Sequence, residues 1–300
     1  MGIYTTKISD DELLNLVSES TTRLRGPLWL ENIRYNERHH GFKETVKVSK
    51  HGGKSLVLAA GPSFKKFMHG SMEKIVSRRN DLTIVACDGA LPVLSQFNCV
   101  PDYVVTVDGL QIVSNFYKKS RSILKGVMAI LSTTAHPDVV KECIAADLKI
   151  KWIQPFFNDG KNASFFRHGI TSLKMGGNVG TTAYLLSALL LKSKSIGLMG
   201  IEFAWSDETP YHDTQYYKNL LNALDNDHEK AVKHYVRVKN TRDGRTYVAD
   251  PVYYAYYLMF REIWNELPRS VRENTFNLTP QGIVNIDNLR YISIDEYLNL

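Results

Sequence analysis

Cysteine is scarce in this chain of 300 residues, and its three cysteines, Cys87, Cys99 and Cys143, make no CxxC pair and no even-numbered set. A disulfide framework is excluded, and free thiols in a reducing compartment are expected. No Cys/His grouping has zinc-ligand spacing, and His39-His40 reads as a solvated pair. Long apolar runs are missing too. The longest, Tyr184–Leu191, is broken by Ser187 and closed by Lys192. A membrane span needs ~20 apolar residues. The opening MGIYTTKISDDELL has no basic stretch followed by an apolar one, so no secretory leader is expected and a cytoplasmic location is. The net charge of +6 is spread without a long basic run. That argues against nucleic acid as a partner and suits a small anionic ligand. With 44% hydrophobic and 23% charged residues, the composition is globular, with ample material for a core.

What is present is an alternation. Six short apolar segments, Ser55–Ala60, Leu82–Cys87, Asp102–Val107, Val127–Leu131, Lys149–Ile153 and Ser195–Gly200, read as buried strands. Helix-length segments lie between them: Phe64–Arg78, Leu91–Phe97, Pro137–Ala146 and Thr181–Leu191. Near-continuous apolar strands alternating with helices predict an α/β, Rossmann-like fold, with a mostly parallel sheet covered on both faces. Upstream, Ser9 and Glu12 form a capping box before Leu13, Leu14 and Val17. Residues 1–50 are therefore expected to form a helical arm laid on the main domain, with Trp29–His51 polar and irregular. Residues 51–215 form the nucleotide-binding domain, and 216–300 a helical addition packed on it. In that last part, Gln215–Lys233 reads as one helix, Asp243-Gly244 as a turn between strand-like flanks, and Val252–Leu267 as an amphipathic helix.

In such folds ligands bind outside the C-terminal ends of the strands. Several strand ends here carry small, polar or acidic residues. Gly61-Pro62-Ser63 stands between a strand and a helix, where glycine permits close approach and a helix start offers N–H groups to an anion. It is neither the full GxGxxG nor the Walker A pattern, which disfavours dinucleotide enzymes and P-loop NTPases. Gly176-Gly177-Asn178-Val179-Gly180-Thr181 is a second candidate cradle, with Gly177, Asn178 and Thr181 as its nucleotide-binding residues. Asp88, followed by Gly89, and Asp108 end neighbouring strands, where a carboxylate binds a ribose hydroxyl, a hydrated Mg²⁺, or the next helix as its cap. Glu202 and His212 are the candidate base and its partner. Of the aromatic cluster Tyr253, Tyr254, Tyr256, Tyr257, Phe260 and Trp264, most are core at this spacing, and one or two face out.

Leu58–Ser63 (LAAGPS), Val85–Leu94 (VACDGALPVL) and Val100–Gly109 (VPDYVVTVDG) resemble the archaeal MptE-type 6-hydroxymethylpterin diphosphokinase domain. The last two segments are also similar to thiamin pyrophosphokinases. Met175–Trp205 resembles a pattern shared by MptE-like domains and the Maf motility accessory factors, which are themselves similar to sialyltransferases. Thr279–Gly282 is similar to a segment near the end of Maf catalytic regions. The resemblance implies a nucleotide-dependent transferase. One form takes a nonulosonate-type sugar from a nucleotide-sugar donor to an acceptor, with Gly61, Pro62, Ser63, Gly177, Asn178 and Thr181 on the phosphate and Glu202 or His212 as base. The other transfers pyrophosphate from Mg²⁺–ATP to a hydroxymethylpterin, with Asp88 and Asp108 on the metal and nucleotide. A third outcome is a non-catalytic nucleotide-binding relative. The sequence departs from the pyrophosphokinase pattern in keeping only Asp108 of two metal-binding aspartates. It departs from the shared pattern in placing Glu202 where aspartate is usual and Phe64 where leucine is usual. Oligomeric state is left open.

Overall fold

The computed structural model describes residues 9–49, 53–156 and 164–300, so residues 1–8 and 50 of the expected arm lie outside the described residues. Helix α1 spans Asp10–His40. Its capping box is formed by Ser9 and Glu12, acidic residues fill its first turn, and Gly41 ends it in the left-handed conformation at φ 65°. The expected irregular stretch after Trp29 is thus corrected as far as His40. Its outward positions are polar, but Asn32, Ile33 and Asn36 are buried at helical spacing. The two asparagines bond strand-end carbonyls from elsewhere in the chain, and composition alone does not display that.

The main body follows as β1 Lys54–Leu58, α2 Phe64–Ser77, β2 Leu82–Cys87, α3 Leu91–Gln96, β3 Tyr103–Thr106, α4 Ser114–Lys119, β4 Met128–Ser132, α5 Pro137–Ala145, β5 Lys149–Pro155 and β6 Ser172–Leu173. Next come α6 Val179–Leu185, prolonged by a π-helical turn to Leu190, then β7 Ser195–Met199 and β8 Trp205–Ser206. The last third holds α7 Tyr217–Ala223, α8 His228–Lys233, β9 Val236–Lys239, β10 Thr246–Ala249, α9 Pro251–Glu266, α10 Arg269–Glu273, β11 Thr275–Asn277, β12 Arg290–Tyr291 and α11 Ile294–Leu298. The single helix expected over Gln215–Lys233 is two. Asp225 and Asn226 are left-handed, and Asp227 caps α8 through the Lys230 amide.

Nine strands form one sheet in the order β12-β11-β7-β1-β2-β3-β4-β5-β6. Every neighbouring pair in it is parallel. Strands β8, β10 and β9 make a small antiparallel sheet. Alternate strand residues separate into two cores. Leu56, Leu58, Ile84 and Ala86 pack with residues of α2 to α5. Val57, Val85 and Val105 pack on the opposite face with residues of α6 and α9. The chain moves outward from β1 to β6, then crosses by α6 to β7 on the other side of β1. The order therefore reverses between β1 and β7, and a doubly wound sheet opens its ligand crevice at that point. Strands β11 and β12, invisible to a pattern search at three and two residues, extend the sheet beyond β7.

Candidate functional site at the sheet switch point

The loops leaving β1 and β7 are held together by backbone. Gly61 donates its N–H to the Gly200 carbonyl at 3.0 Å, and the Gly200 N–H donates to Thr279 Oγ1 at 2.8 Å. A side chain on Gly61 would lie 2.3 Å from the Gly200 oxygen and 2.6 Å from Glu202 Oε1. Gly200, at φ +80°, would put one 2.2 Å from the Ala59 carbonyl oxygen. Gly282 approaches Glu202 equally closely, so the Thr279–Gly282 segment forms one wall of the site.

Glu202 is buried, with 3% of its surface exposed. Its carboxylate accepts from the Ser63 N–H at 3.1 and 3.2 Å and from the Ser63 hydroxyl at 2.7 Å. Ser63 therefore does not cap α2 with its own side chain; the Glu202 carboxylate, from the loop after β7, accepts at the helix start instead. At the expected cradle of Gly61-Pro62-Ser63, the Ser63 donors are thus turned to Glu202 in this structure. The longer reach of glutamate carries it from the strand end to the helix start. Burial pushes the Glu202 pKa up to about 7, against the opposing pull of the Ser63 donors.

Asn178 starts α6 on the other face of the sheet, at the same edge. Its Oδ1 accepts from the Thr181 N–H at 2.9 Å, and its Nδ2 donates to the Gly176 carbonyl and Thr181 Oγ1. Thr181 is fully buried and engaged in this cap. Gly176 and Gly177 are both left-handed, and a side chain on Gly177 would strike the Tyr256 ring at 2.7 Å.

Asp88 is also turned inward. One oxygen accepts from the Gly89 N–H at 2.6 Å, the other from Thr106 Oγ1 at 2.8 Å, and Thr106 meets the Tyr117 hydroxyl behind it. Burial raises its pKa to about 7. In this structure it is a buried, hydrogen-bonded carboxyl. Gly89 packs against Ala60, whose Cβ is 3.0 Å from where a side chain would start. Asp108 is exposed and accepts from the Leu110 N–H at 3.0 Å. Although the residue reaches solvent, the surrounding protein partly desolvates its carboxyl and raises its pKa, with Leu110 and Arg25 opposing. Among the described residues no three His, Cys, Asp or Glu side chains gather as for a metal. With Asp88 engaged and Asp108 alone, the donor set does not fit a protein-held Mg²⁺.

His212 stands on a short 3₁₀ turn, Tyr211–Asp213. Its side chain is 70% exposed, and its nearest charged partner is Asp213, at 3.7 Å. Of the two acids expected to orient the imidazole, Glu202 or Asp213, Asp213 is the one beside it.

Three further contributors shape this edge. The first is an aromatic wall, in which Tyr253 and Tyr256 of the cluster noted in the sequence are joined by Trp205 and Tyr216, which the sequence reading missed. Tyr253 stacks on Trp205 at 4.3 Å between ring centres, and the Tyr216 and Tyr256 hydroxyls meet at 3.2 Å. The second is Asp250, fully buried, which caps α9 by accepting from Val252 and Tyr253 N–H groups. Burial raises its pKa to about 7. The third is α1, which crosses the ends of β3 and β4. Asn32 Nδ2 donates to the Gly109 and Thr134 carbonyls at 3.0 and 2.9 Å, and Trp29 lies against Gly109. The spacing Arg25, Trp29, Asn32, Asn36 is one helical face and was the signal available. Charge influence links these parts across the edge: Tyr253 senses Glu202 and Tyr216, and Tyr216 senses Asp108 and Arg25.

Residues 28–208 match a family model described as "6-hydroxymethylpterin diphosphokinase MptE-like". An uncharacterised protein of Treponema pallidum (strain Nichols) is 30% identical over 110 residues, covering 33% of this chain and half of that protein. The chain is also similar in structure to a Maf glycosyltransferase from Magnetospirillum magneticum AMB-1. That match has a TM-score of 0.58 at 17% identity, over 83% of this chain and 35% of the other. The chain thus spans half or less of the length of these relatives, and the structural likeness establishes the fold.

Proposed function

The chain belongs to the MptE-like family, and on that footing we propose that it is a nucleotide-dependent transferase which moves a sugar from a nucleotide-sugar donor to an acceptor hydroxyl, with Glu202 as the base. The observation that carries this reading is the carboxylate at the switch point, buried, held by Ser63 and poised with a pKa of about 7. A base tuned to that range is matched to neutral operation. In its ionised form Glu202 would take the proton of the acceptor hydroxyl. The acceptor oxygen then bonds to the anomeric carbon as the bond from that carbon to the nucleotide phosphate oxygen breaks, and the nucleotide leaves with the electron pair. The donor is proposed to be a CMP-linked sugar of nonulosonate type. The Thr279–Gly282 segment, on which the Maf resemblance extends, supports this by seating on Gly200 and Glu202.

Pyrophosphoryl transfer to a hydroxymethylpterin is the second reading. The wall of Tyr216, Tyr253 and Tyr256, which offers ring faces to a flat heterocycle, favours it. The inward turn of Asp88 speaks against it, since two accessible carboxylates are wanted for Mg²⁺–ATP. Calorimetric titration of CMP and of ATP, each with and without Mg²⁺, separates the two. Sugar transfer predicts CMP binding that depends weakly on Mg²⁺. Strict Mg²⁺ dependence, with ATP preferred and binding abolished by Asp108→Asn, would establish the pyrophosphokinase instead.

A further inference from the structure

We propose that Arg25 of α1 is the cation that receives the donor's phosphate, so that the N-terminal helix completes the site; this rests on the nucleotide-dependent reading above. Helical phase fixes where Arg25 stands. Trp29, Asn32 and Asn36 follow it at intervals of four, seven and eleven residues, which is one face of a helix. All three touch the strand-end edge. Trp29 lies on Gly109, Asn32 bonds Gly109 and Thr134, and Asn36 bonds Thr133 and Ala135. The next residue, Gly26, is buried 3.7 Å from the Phe165 ring, measured from where its side chain would start. Arg25 therefore continues that face toward the open part of the crevice and is half-buried there.

Acids and phenols gather at this edge: Glu202 and Asp108 stand at it, Asp88 and Asp250 are buried behind it, and Tyr216, Tyr253 and Tyr256 form an aromatic wall. The charge of Arg25 bears on both Asp108 and Tyr216. Arg25 makes no ion pair in the described residues, whereas Arg261 of α9 is paired at 3.1 Å with Asp10, at the start of α1. A guanidinium offers a planar set of five donors matched to phosphate oxygens. Without ligand it is balanced at a distance by Asp108. A phosphate entering the crevice replaces that weak attraction with charge-assisted hydrogen bonds.

The test is thermal shift and calorimetry on the full chain with CMP, ADP, cytidine, adenosine and inorganic pyrophosphate. Parent, Arg25→Gln and Arg25→Lys proteins are compared. Because Arg25 has no partner to lose, the unliganded variants should melt with the parent. Arg25→Gln should weaken CMP or ADP about ten- to a hundredfold, leave the nucleosides unchanged and abolish any shift by pyrophosphate, while Arg25→Lys recovers part of the loss. Equal nucleotide affinity in parent and Arg25→Gln would overturn the assignment and leave the proposed function standing. A parent that binds pyrophosphate through Arg25 but neither nucleotide would support the anion site and refute the nucleotide reading. A parent that binds none of the phosphates would refute both.

Discussion

Burial sets the chemistry of three carboxyls in this chain. Asp88, Glu202 and Asp250 are each raised to about 7 chiefly by burial, and each is opposed by hydrogen-bond donors. For Glu202 the consequence is kinetic. Turnover should rise with pH through about 7 as the base ionises. Glu202→Gln should remove that limb and lower the rate ~10²–10⁴-fold, measured by donor consumption in a folded variant. A variant with the parent's rate and pH profile would exclude Glu202 as the base. For Asp88 the consequence is thermodynamic. Its ordinary pKa is 3.8 and its folded value about 7, so the folded state holds the proton more tightly. Its contribution to stability is fully present below about 3.8 and is lost as pH rises through about 7. Asp88→Asn should therefore flatten the fall in denaturation midpoint between those limits. A parallel pair of parent and variant curves would show that Asp88 ionises normally. The sequence displayed both acids as strand-end residues. It did not display which way they turn, because Thr106 and Tyr117, brought together by packing, claim Asp88, and Ser63 claims Glu202.

Helix α1 is the element whose role was least legible. Its capping box is local, but its docking depends on carbonyls at the ends of β3 and β4 that lie 77 or more residues away in sequence. Pro27 sits inside it and forgoes one helical hydrogen bond. Tertiary contacts along Trp29–Asn36 offset that loss. Gly109, which follows Asp108, has a structural reason in the close approach of α1. A side chain there would stand 2.8 Å from Trp29 Cδ1 and 3.0 Å from Asn32 Nδ2. Gly109→Ala should cost about 1–3 kcal/mol and speed amide exchange along α1 while sparing β1 and β2. Unchanged stability with unchanged exchange would mean that α1 is not seated on this glycine. Elsewhere the apolar strands were readable because a parallel sheet buries both faces. The two- and three-residue strands β6, β11 and β12 carry too few residues to show any period.

At the scale of the whole molecule, function follows from where the strand order reverses. Strands β1 and β7 are neighbours in space and far apart in sequence, and their departing loops meet through the Gly61–Gly200 and Ser63–Glu202 hydrogen bonds. The crevice between them is lined by Glu202 and Ser63, approached by the Gly176–Asn178 turn and crossed by α1. Amide hydrogen exchange with saturating CMP tests this placement most directly. The account predicts slowed exchange at residues 61–67, at 176–182 and in α1 around Arg25, with little change at the opposite edge of the sheet. Protection confined to that opposite edge, at residues 53–55, 194–196 and 290, would contradict it.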